Sequence, residues 1–169
     1  MKKLFYVTCF ILLFSCEKKK VEKNIYPRQV GDISYDVKLD SPNFILCNGE
    51  DNIFQYFNKG KGLEYKGGKK EIEQLFEKKY SHIKVDESGL IRIRFIVNCK
   101  GETGRFRVIQ MNVNYEQFTF DDRIINQLLM ITQSLDGWKI KDDSRGNKID
   151  YYQYLIFKIE KGNLIEILP

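Results

Sequence analysis

The chain has one histidine, one tryptophan and three prolines among its 169 residues. With His82 alone, a multi-histidine metal centre is excluded, and a cysteine nucleophile would have a single histidine to draw on as its base. Three prolines exclude a proline-rich stalk. An excess of one charge is also lacking: 28 lysines and arginines face 23 acids, a formal net charge of +5. That balance is too small and too mixed to imply nucleic-acid binding. Nor is there a long apolar run. The longest, residues 4–14, falls well short of the roughly 20 residues a membrane-crossing helix needs. What remains is 43% hydrophobic and 30% charged, the composition of one globular domain.

The N-terminus reads as an address. Met1-Lys2-Lys3 gives a charged start, residues 4–14 an apolar stretch inside the secretory window, and Glu17-Lys18-Lys19-Lys20 ends it abruptly. Leu13-Phe14-Ser15-Cys16 resembles the lipobox of bacterial lipoproteins, in which a small residue precedes the cysteine that becomes N-terminal and lipidated. The resemblance implies a signal peptide over 1–15 and a membrane anchor through lipidated Cys16, where several acyl chains on one residue hold a protein stably. An ordinary cleaved signal and an uncleaved helix are the alternatives. Glu17 does not settle which membrane. Lys18–Lys20 departs from the acidic tract that directs some lipoproteins to the cell surface, so the expected location is the outer membrane, facing the periplasm. Lys2 and Lys3 leave with the signal, which lowers the charge from +5 to +3. Cys9 leaves too and Cys16 takes lipid, so Cys47 and Cys99 remain. An exported compartment permits a disulfide between them; two buried thiols are the alternative.

Residues 16–43 are polar and lysine-rich and read as a tether, with a brief strand over 33–39. The expected domain is 44–169. Short apolar runs at 44–47 and 53–57 read as strands. Ile72, Leu75, Phe76 and Tyr80 recur at helical spacing over 69–80. From Gly89, Ile91, Ile93, Phe95 and Val97 alternate with Arg92, Arg94 and Asn98, the pattern of a half-buried strand. The turn Lys100-Gly101-Glu102-Thr103-Gly104 leads into Arg105-Phe106-Arg107-Val108, which makes an antiparallel hairpin. Arg92, Arg94, Arg105 and Arg107 are expected to share its exposed face. Asp121 or Asp122 caps a second helix carrying Ile124, Leu128, Ile131 and Leu135. A strand over 151–159, a turn, and a short strand over 164–168 close the chain. The order predicts an α+β, two-layer domain: a three-stranded antiparallel sheet with two helices on one face, a short extra C-terminal strand, and N-terminal strands.

These pieces, in this order, resemble the C-terminal domain of the TonB proteins, the energy transducers of Gram-negative outer-membrane transport. The residues that carry the resemblance are Tyr65-Lys66-Gly67-Gly68, the strand from Gly89 to Asn98, the turn from Lys100 to Gly104, Trp138, Gly146 and the aromatic strand from Tyr151 to Phe157. It implies a binding module that takes an extended segment of an outer-membrane transporter, or of another envelope protein, by strand addition at a sheet edge. The implied edge is the strand over 151–159, with Tyr151, Tyr152, Tyr154 and Ile156 as candidate contacts, unless 164–168 folds over it. TonB proteins carry an inner-membrane helix and a long proline-rich spacer, whereas a tether of about 27 residues reaches near 30 Å. The expectation is therefore recognition without energy transduction. The competing expectation is a structural or assembly lipoprotein with no peptide-binding activity, acting through its arginine face. No spacing suits acid–base or metal chemistry: Gly67-Gly68 lacks the rest of a phosphate loop, and Asp121-Asp122 and Asp142-Asp143 fit caps and turns. The reading is non-enzymatic, with no cofactor, no metal and no nucleic-acid partner; the oligomeric state is not readable.

Overall fold

The computed structural model describes residues 31–55 and 63–168; the signal peptide, Cys16 and most of the tether lie outside them. A single 3-10 turn at Glu50–Asn52 leads into β1 (Ile53–Phe54). Then follow α1 (Gly68–Lys79), β2 (Gly89–Val97), β3 (Thr103–Asn112), α2 (Asp122–Gln133), β4 (Lys141–Asp142), β5 (Lys148–Glu160) and β6 (Asn163–Leu168). The fold is α+β; both helices start within a residue of the expected position, but α2 ends at Gln133, so Leu135, expected within it, is buried in the segment that follows. Asp121 is the N-cap of α2, its carboxylate accepting from the Arg123 N–H. No helix among the described residues is long and apolar enough to cross a membrane.

The antiparallel core β3–β2–β5 is as expected, but the sheet is mixed and six-stranded rather than three-stranded. The additions collect on β5. β1 pairs with it in parallel at Asp150 and Tyr151, β4 antiparallel at Lys148 and Ile149, and β6 antiparallel over Ile156–Glu160. One face of the sheet carries the main core. Ile91, Ile93, Phe95 and Val97 of β2 and Leu155, Phe157 and Ile159 of β5 meet Ile72 and Phe76 of α1 and Ile124, Leu128 and Ile131 of α2. Trp138 sits here too, edge-on to Tyr65 and Phe95 with ring centroids 5.0 Å apart in each case.

The other face is not open. Residues 33–55 lie across it, and Ile33 and Ile53 bury themselves against Ile96 and Tyr152. Ile33 and Asp40 are thus part of the folded body rather than the tether, and neither 33–39 nor 44–47 forms a strand. The segment is held by polar and covalent pins, which need no periodicity. Cys47 and Cys99 form a disulfide, with Cα atoms 5.9 Å apart. The fully buried carboxylate of Asp150 accepts from the backbone N–H of Asn48 at 2.8 Å and of Cys99 at 2.9 Å. The Asn98 side chain donates to the Ile45 carbonyl at 3.1 Å.

This cover corrects the expectation of an exposed arginine face. Arg105 is 6% exposed and donates to both carboxylate oxygens of Glu50, at 2.6 and 2.5 Å. Arg107 makes a two-pronged pair with Asp40, 2.7 Å on each arm, and also donates to the Ser34 carbonyl. Arg94 donates to Gln55 at 2.9 Å and lies 4.3 Å over the Tyr152 ring. Arg94 pairs with Arg107 but Ile96 with Gly104, so β3 carries one extra residue there. Arg105, at φ +57, adopts the left-handed backbone that such a bulge requires.

Candidate functional site

The candidate edge residues come out differently from their sequence reading. β5 is an interior strand where its ladders overlap: β2 pairs with it along Tyr151–Ile159 on one side, β1 at Asp150–Tyr151 and β6 at Ile156–Glu160 lie on the other, and β4 pairs with its first two residues. The 164–168 segment does fold back over it. Tyr151 is buried on the helix face, its hydroxyl donating to the Lys139 carbonyl at 2.8 Å. Burial pushes that phenol well above the ordinary tyrosine range. Tyr152 is buried on the opposite face, where its hydroxyl accepts from the Ile33 N–H at 3.2 Å. Tyr154 and Ile156 are half-buried. The aromatic run therefore packs both faces of the sheet: Tyr152, Tyr154 and Ile156 form one row on the face opposite the helices, and Tyr151 lies on the helix face.

Among the described residues the sheet ends on β3 at one side, while β1, β4 and β6 each pair with β5 alone; of these β6 is the longest. The outer side of β3 is partly occupied by its own continuation. The Gln110 carbonyl accepts from Phe118, Asn112 donates to the Glu116 carbonyl, and Met111 bridges Gln117. Near its other end lies a groove of about 630 Å³, walled by Leu39 and Phe44 on one side and Leu129 on the other.

β6 is held at its start and open along its length. The turn that precedes it is docked on the loop after α1. The Gly162 carbonyl accepts from Ile83 N–H and from the Tyr80 hydroxyl, and the Gly162 N–H donates to the Glu87 carbonyl. His82, exposed, donates from Nε2 to the Lys161 carbonyl at 3.0 Å. Only Gly fits at 162, because φ is +72 and a Cβ would strike the Ile83 carbonyl. Beyond this anchor, β6 pairs with β5 alone. Between β6 and α1 runs a groove of about 510 Å³. The buried Phe76 and Ile167 form its floor, with Leu164 beside them, and Glu73, Glu77 and Glu166 line it. Tyr80 closes one end, and burial raises its phenol to about 12, so it stays a hydroxyl donor at any physiological pH. Ile165 is the extra residue of a second bulge, between the Leu164 and Glu166 pairings, and stands 52% exposed.

Sequence reasoning missed this groove. One signal was available: Glu73 and Glu77 are four residues apart on α1 and flank Phe76, so the helical period places two carboxylates beside the apolar stripe. The strand over 164–168 was expected, but it is too short for alternation to show which of its residues would face the groove. The cysteine pairing was readable, and the sulfurs of Cys47 and Cys99, though near the Asp150 carboxylate, are taken up by their disulfide. Comparison with protein-family models, with curated proteins and with solved structures finds no match to this chain.

Proposed function

We propose that the chain is a TonB-like binding module of the bacterial cell envelope. A lipid on Cys16 anchors it at the outer membrane facing the periplasm, and it engages an extended segment of an outer-membrane transporter or another envelope protein by strand addition. The observation that carries this reading is a sheet with an open terminal strand beside a groove. Backbone N–H and C=O groups on such an edge pair with an incoming chain, and side-chain pockets next to it give selectivity. The Cys47–Cys99 disulfide supports an oxidising compartment. The competing structural role loses much of its surface, because Arg105 and Arg107 are engaged within the chain by Glu50 and Asp40.

The test is crosslinking of the tagged protein in cells followed by mass spectrometry, with Cys16→Ser as the unanchored control. Recovery of an outer-membrane transporter or its periplasmic segment, dependent on Cys16, is expected. Recovery of only wall material or of the chain itself would refute the binding module and favour the structural role.

A further inference from the structure

We propose that the groove between α1 and β6 takes an extended segment bearing lysine or arginine, which adds to the outer side of β6 as the next strand of the sheet. This rests on the binding-module reading and gives it a site and a ligand chemistry. β6 is preferred to β3 because the turn at 112–118 already uses the outer side of β3 at Gln110, Met111 and Asn112, and the Arg105 bulge distorts its other end. The outer side of β6 meets no other described strand.

Charge selects the occupant. The chain as a whole is basic, with a net charge of +5, yet no lysine or arginine lines this groove and three glutamates do. Glu73 has an exposed partner in Lys69, 3.4 Å away on the same helix, a pair that solvent makes weak. Glu166 faces Lys158 across the β5–β6 pair, and Lys158 is also bonded to Glu160. The α1 pair Glu73 and Glu77 therefore carries most of the negative field, which attracts a basic side chain and rejects acidic segments. Side chains of an added strand alternate between faces. One set would thus lie over Phe76, Leu164 and Ile167 while exposed Ile165 offers a further apolar contact at the strand. The volume, about 510 Å³, is that of an ordinary ligand cleft.

The experiment uses the full chain carrying Cys16→Ser and two labelled eight-residue peptides, one alternating Lys and Val, the other Glu and Val. Fluorescence anisotropy is expected to give about tenfold tighter binding of the Lys peptide, weakening as salt rises. The triple variant Glu73→Gln, Glu77→Gln, Glu166→Gln is expected to lose that preference while its melting temperature is unchanged. A Lys peptide N-methylated at every second residue, which blocks backbone pairing, is expected to bind weakly in one of its two phases. Equal affinity for the Lys and Glu peptides, no binding of either, or a preference that survives the triple variant would overturn the proposal. A photo-crosslinking residue at Ile165, compared with one at Ile109 on β3, separates this inference from the reading beneath it. Capture of an envelope protein from 165 supports both. Capture from 109 alone overturns the β6 site and leaves the binding module standing, and capture from neither overturns both.

Discussion

Replacing Cys47 and Cys99 together by alanine tests how residues 33–55 are held on the sheet. The two cysteines are 52 residues apart in sequence. Closing a loop of that length removes roughly 14 cal/mol/K of entropy from the unfolded chain, or about 4 kcal/mol at 25 °C. A folded unit of roughly 140 residues unfolds with an entropy near 0.29 kcal/mol/K, so the melting temperature should fall by about 14 °C. The Asp150 clamp survives the substitution, since its bonds run to the backbone of Asn48 and Cys99 and not to sulfur. The double variant should therefore fold and melt earlier in one transition. Calorimetry of the oxidised protein and the variant gives the shift directly, and limited proteolysis reports whether the cut sites move into 33–55. A fall of less than about 3 °C, which corresponds to about 1 kcal/mol, would refute the reasoning. It would mean that the segment's ion pairs and buried isoleucines hold it without the covalent link.

Acid should loosen the same segment. The two hydrogen bonds from Arg107 hold the Asp40 carboxyl below its ordinary value of 3.8, against the opposing effect of burial. A lowered carboxylate contributes stability that is complete above the unfolded value and is lost as pH falls through the folded one. Asp40→Asn should be destabilising at pH 7 and flatten the acid limb below about pH 4 in urea midpoints measured against pH; an unchanged acid limb would count against the pair. Gly104→Val should cost about 1–3 kcal/mol by overpacking, since a Cβ there would strike the Phe44 ring. Adding Phe44→Ala should recover part of that loss in a double-mutant cycle of denaturation midpoints.

The periodic elements were legible because one physical quantity decides them. The alternation through Ile91, Ile93, Phe95 and Val97 and the helical spacing of Ile124, Leu128 and Ile131 each place one apolar face on a common core, and the structure buries them together. The same rule failed at Arg105 and Arg107. Alternation says only which side chains lie opposite the main core; it does not say that the opposite face is water. That face is covered by a segment whose order comes from ion pairs, a disulfide and single apolar contacts, none of which leaves a period in the sequence. The cysteines did contain the information. Cys99 lies just past the end of β2, so bonding it to Cys47 brings the chain before β1 back onto the sheet, and Glu50 and Asp40 then have basic partners within reach.

β5 was expected as an edge unless 164–168 folded over it, and that segment does; β5 is also longer than expected. Its thirteen residues span roughly 43 Å, too far for one short neighbour to cover. β1 and β6 take separate stretches of the side away from β2, and β4 pairs with the first two residues. On the proposed reading, the chain's own β6 occupies part of the position where a TonB-type partner would add, and recognition moves outward by one strand. That shift changes what the partner must be. A segment adding to an aromatic strand is chosen by its apolar side chains, and an exposed strand of that kind invites unselective pairing. β6 instead presents a bulge at Ile165 and three glutamates along its groove. Together these deter neutral and acidic edges from pairing and leave a basic extended segment as the favoured strand.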